Sequence, residues 1–124
     1  MANLNNTNIV MLASAARTTA TTSELITNSD YRGCHIIIDV TVEVDTATIT
    51  PTIQGYDSVS GKYYTLLVGS AITAVGTTVL RIYPGLTASA NVIANDILPN
   101  KFRVSMAVAD TDSMTYSVSA SLVL

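Results

Sequence analysis

His35, Asp39 and Glu43 stand at spacings of four along one stretch, and the only cysteine, Cys34, is next to the only histidine. These are the residue types from which metal sites and nucleophile–base pairs are made. In an extended chain, however, residues four apart are separated by roughly 13 Å, too far to share one ion. Adjacent strand residues also point to opposite faces, so Cys34 and His35 do not form a nucleophile pair. Asp110, Asp112 and Ser113 bring carboxylates and a hydroxyl together as a calcium loop would. Asp and Ser serve equally well in turns that bond their own backbone, and Asp57 and Ser58 beside Gly61 read the same way. The many serines have only His35 as a base, which argues against a serine triad. The six glycines are isolated at turns and make no phosphate loop. The residues therefore nominate no catalytic group, no metal site and no cofactor. What remains is an aromatic strip, Tyr56, Tyr63 and Tyr64, suited to a protein interface or a ligand platform. Tyr63 and Tyr64 fall on opposite strand faces, so at most one of them belongs to a core.

The elements that carry these residues read as strands. Over 34–44, Cys34, Ile36, Ile38, Val40, Val42 and Val44 share one parity, with His35, Ile37, Asp39, Thr41 and Glu43 on the other. That period of two is the mark of a half-buried strand. Residues 47–57 alternate too, with Pro51 marking an edge or a bulge because proline donates no ladder hydrogen bond. A tight turn at 57–62 leads into a returning strand over 62–68, and another strand spans 77–83 before Pro84 and Gly85. In the terminal stretch 101–124, Phe102, Val104, Met106 and Val108 alternate with polar residues. After Asp110–Ser113 the alternation resumes with Met114, Tyr116, Val118, Ala120, Leu122 and Leu124, which reads as a closing hairpin. Residues 8–17 suit a strand or a short helix, 18–30 a polar connection, and 86–98 a helix-or-loop crossover. The expected fold is one all-β domain over 1–124, an antiparallel β-sandwich of about seven to eight strands with little helix, jelly-roll-like or immunoglobulin-like.

Composition narrows the function classes. Hydrophobic residues are 48% of the 124 and charged ones 12%, about half the usual quarter. A surface so poor in charge is tiled with Thr, Ser, Asn and small apolar groups, which suits a chain packed against copies of itself or a partner. The net charge of −3 and the scattered Lys and Arg residues disfavour nucleic-acid binding. No apolar run reaches the roughly 18 residues of a membrane span. The polar, uncharged N-terminus does not resemble a signal peptide, and the expected place of synthesis is the cytoplasm.

Four phrases, DSVSGKYYTLL at 57–67, TTVLRIYPG at 77–85, NDILPNKFRV at 95–104 and DTDSMTYSV at 110–118, resemble small structural proteins of tailed bacteriophages. The likeness covers about residues 13–124. It implies a non-enzymatic virion protein that decorates or cements the outer capsid surface. Its partners would be the major capsid protein or other virion proteins, and it would form a dimer or trimer with itself. It also implies an extended arm over 1–12 lying across neighbouring subunits, where Leu4, Ile9 and Met11 would join Tyr56, Tyr63 and Tyr64 as contacts. The alternative within the same resemblance is a neck, tail or host-attachment module that binds carbohydrate; the lack of tryptophan weighs against it. A hydrolase is the third class, disfavoured by the lack of a base near any nucleophile.

Overall fold

The computed structural model describes residues 6–124. Ten strands form two sheets, with no helix among the described residues. The strands are β1 (Thr7–Arg17), β2 (Thr21–Thr22), β3 (Ile26–Thr27), β4 (Gly33–Glu43) and β5 (Ile49–Asp57). They continue with β6 (Lys62–Val68), β7 (Gly76–Ile82), β8 (Ile93–Ala94), β9 (Lys101–Val108) and β10 (Met114–Val123). The first sheet runs β1-β10-β4-β7-β8 and the second β2-β9-β5-β6, with β3 also on β9. Every pairing is antiparallel except β7–β8. The count exceeds seven to eight because β2, β3 and β8 are two-residue strands, too short to show a period in the sequence.

Alternation builds the core. Ile36, Ile38 and Val40 of β4, Leu80 and Ile82 of β7, and Tyr116, Val118, Ala120 and Leu122 of β10 turn inward from the first sheet. Ile49 and Ile53 of β5 and Phe102, Val104 and Met106 of β9 meet them from the second. Two faces of apolar side chains closed on one another are what a pair of half-greasy sheets requires. Two buried polar side chains secure the 18–30 connection. Ser23 Oγ accepts from the Val104 N–H (3.0 Å). Asn28 Nδ2 donates to the carbonyls of Tyr31 (2.8 Å), Leu98 and Pro99 (both 3.3 Å).

Several expectations are corrected. The two halves of 101–124 are not a hairpin: β9 lies in the second sheet and β10 in the first. Period two fixes which face a strand buries and leaves open which strand it pairs with. Pro51 is on neither an edge nor a bulge, since β5 is flanked by β9 and β6. Its missing N–H faces the lane of β6, whose pairing stops at Thr52↔Val68, and the Pro51 carbonyl there accepts from the Gly69 N–H (2.8 Å). Only the reciprocal bond to the Gly69 carbonyl, just beyond the end of β6, is forgone. In β4 the alternation breaks where β10 register shifts between Thr115 and Tyr116. One extra residue at Thr41 exchanges the faces beyond it. Val42 is exposed as a result, while Glu43 Oε1 is buried with no hydrogen-bond partner. Residues 86–98 contain β8 and turns, with no helix. The first strand is a strand from Thr7 onward, so residues 7–12 are not an arm.

Candidate functional site: the aromatic face and the sheet margins

The register of β5 against β6 sets Tyr56 opposite Tyr63 and Gly55 opposite Tyr64. Tyr56 and Tyr63 therefore share the outer face of the second sheet, their ring centroids 4.8 Å apart and inclined by 48°. Arg103, paired with Gln54 across β9, lays its guanidinium 3.5 Å from the Tyr63 ring centroid. Its Nε donates to Gln54 Oε1 (2.8 Å). A cation over a ring and a fixed hydrogen bond make this a preorganised cluster. Tyr64 stands on the other face, its ring over Gly55. A Cβ at Gly55 would collide with the Tyr64 ring, so glycine there lets the ring lie where it does and a larger residue would push it aside. The structure thus brings two of the three tyrosines together and separates the third. Sequence reading missed Arg103 and Gln54, whose signal was their outward parity on strands not yet known to be neighbours.

The other named contacts are dispersed. Leu4 lies outside the described residues. Ile9 is half-buried against the core, and Met11 is buried in it. Register shifts between Val10 and Leu12 turn Met11 inward and leave Val10 71% exposed. Met11 therefore acts as a core residue and Val10 as the surface one.

His35, Asp39 and Glu43 do not converge. His35 pairs with Ser121 and Arg81, and Asp39 with Ser117 and Thr77. Asp39 Oδ1 accepts from Thr77 Oγ1 (3.3 Å), and Glu43 has crossed to the other face. Cys34 is buried, and burial pushes its thiol up to about 12, so it stays protonated and unreactive. Asp110 Oδ1 accepts from the Asp112 N–H (3.1 Å), the bond of an Asx turn. Burial, then the charges of Asp110, Asp45 and Glu43, holds the Asp112 carboxyl above its ordinary value. Among the described residues no group of three or more His, Cys, Asp or Glu is arranged to hold a metal ion. Asp57 likewise accepts from Ser60 Oγ (2.7 Å) and the Val59 N–H (3.1 Å). Those bonds pull its carboxyl below the ordinary value, led by that to Ser60. Gly61, at φ 72°, completes that turn.

The outer face of the first sheet is mixed, with His35 and Arg81 in the Ser121 row and Asp39 in the Ser117 row. Ser117, Ser119 and Ser121 run down β10, flanked at the Ser119 row by Val10, Ile37 and Val79. At the far margin, β7 borders a groove of about 380 Å³ beneath the 70–75 loop. No protein-family model, no curated protein and no solved structure matches this chain.

Proposed function

We propose that this chain is a non-enzymatic structural protein of a tailed-phage virion. It coats the outer capsid surface through protein–protein contacts, as a small homo-oligomer. The observation that carries the reading is the outer face of the first sheet, where a ladder of serines crosses a row of Val10, Ile37 and Val79. Covering hydroxyl and methyl groups costs little desolvation compared with covering Lys or Glu, so this central row joins a neighbour readily. Arg81 and Asp39, in the rows on either side, are left to pair with polar groups of that neighbour. Area buried across subunit boundaries adds its binding free energy to the stability of the shell. The resemblance of four phrases to small phage structural proteins points the same way. Co-sedimentation with empty capsids, together with shell melting in the presence and absence of the protein, tests it. Binding with a raised shell melting temperature supports the reading, and neither effect ends it.

The Tyr56–Tyr63–Arg103 cluster favours a second reading, a host-attachment module for carbohydrate. Tyr63 is exposed, but Arg103 already covers one face of its ring, so a stacked sugar is limited to the remaining surface. A glycan array separates the two readings: a glycan signal abolished by Tyr63→Ala would favour attachment.

A further inference from the structure

The strand β8 pairs with β7 over only two residues, Arg81↔Ile93 and Ile82↔Ala94. In that lane the Arg81 N–H donates to the Val92 carbonyl (2.9 Å) and the Tyr83 N–H to the Ala94 carbonyl (3.2 Å). Antiparallel strands turn the N–H and C=O groups of alternate residues to opposite neighbours. Thr77 and Val79, at even steps from Arg81, therefore aim their backbone groups into the same lane, where β8 does not reach. Among the described residues no backbone group partners them there. Ile72 and Val75 of the 70–75 loop, with Asn91 and Val92 where β8 begins, line the groove that borders this lane. Asn91 Nδ2 donates to the Val68 carbonyl (3.2 Å), tying that end to β6. Val75 is 61% exposed.

We propose that this lane is a β-strand docking site for an extended, uncharged peptide segment of another polypeptide. The reading does not depend on the virion role. A row of unpaired N–H and C=O groups is satisfied most completely by another strand, which extends the sheet. The volume of about 380 Å³ lies within the roughly 300–1,000 Å³ range of ligand clefts. Charge selects the occupant. No ionisable side chain lines the groove, so a charged residue seated there would lose its hydration without gaining a partner. A segment of small and apolar residues meets Val75, Val79 and Val92 at no such cost. Its backbone bonds to Thr77 and Val79 and continues the line that β8 has begun.

The test uses the full chain and a displayed library of random peptides, followed by titration of selected synthetic peptides with residue-resolved amide exchange. The expected result is enrichment of uncharged, strand-forming sequences that slow exchange at Thr77 and Val79. Val75→Glu should weaken their binding about tenfold or more by placing a charge in the groove. Val59→Glu, on the remote β5–β6 turn, should leave binding unchanged. Failure to enrich, enrichment of charged sequences, or peptides that protect neither amide would overturn the proposal. Concentration-dependent self-association that protects both amides without peptide would assign the lane to a second copy and overturn it as well.

Discussion

The two margins of the first sheet are treated in opposite ways. At the β1 margin, Arg17 folds back along its own strand and donates from its guanidinium to the carbonyls of Ala13 (2.6 Å) and Ala15 (3.3 Å). The same group donates to the Tyr116 carbonyl (2.7 Å) and lies 4.6 Å from the Tyr116 ring centroid. Register shifts around Leu12 bend the strand further. By the alternation of the ladder, Tyr116 faces β1 and Ala15 faces β10, so the guanidinium sits between the two strands and props the bulge. A bulged ladder is a device that stops an edge from recruiting another strand. The β7 margin has no such bulge over Gly76–Leu80. It carries a two-residue stub of a neighbouring strand and a neutral, apolar-walled groove in line with it. One edge is bulged by its own chain, and the other is framed for a visitor.

The largest expected effect comes from removing the floor of the framed edge. Leu80 is buried, and Leu80→Ala should cost about 2–5 kcal/mol through lost transfer free energy and the cavity left behind, read by urea unfolding. Arg17→Ala should cost less, about 1.5 kcal/mol for the loss of charge-assisted bonds. Its second consequence matters more to the comparison. Without the guanidinium that props the bulge, a straighter β1 edge should make association rise with concentration in light scattering, and an unchanged monomer–oligomer balance would show that Arg17 does not guard the edge.

Cys34 lies between the two margins, paired with Leu122 on one side and Ile82 on the other. With its thiol at about 12, labelling by a thiol reagent at pH 8 should proceed only as fast as the protein opens. Rapid labelling of the folded protein would mean that the sheet breathes between its edges. The smallest effect is electrostatic. The bulged edge ends beside the Asp110–Ser113 connection, where Arg17 pairs with Met114. Because the Asp112 carboxyl is held above its ordinary value, the folded state binds that proton more tightly than the unfolded chain. Folding stability should therefore decrease as pH rises from the ordinary aspartate value through the raised one. Asp112→Asn should remove that decrease and raise Tm slightly at neutral pH, with no gain in acid. Melting both proteins across pH checks the sign.

Much of the sandwich was legible in the sequence because period two is a local property. The inward sets Ile36–Ile38–Val40 and Phe102–Val104–Met106 follow from it directly, as does the β5–β6 turn from Asp57 and Gly61. What stayed hidden depends on neighbours. That β9 and β10 separate into different sheets, that Pro51 sits opposite the end of β6, and that a bulge at Thr41 turns Glu43 inward are all facts of pairing. The candidate site divides in the same way. Tyr56 and Tyr63 were visible as residues, whereas Arg103 reaches them only through β9–β5 register. The lane beside β7 had no sequence signal, since it is made by two residues of β8 stopping short.

The contrast between the margins is tested most directly by amide exchange in the free protein, resolved along β7. Arg81 and Tyr83, whose N–H groups donate to Val92 and Ala94, should exchange slowly, while Thr77 and Val79 exchange fast. Equal protection at all four amides would contradict the account, because the lane would then already be filled.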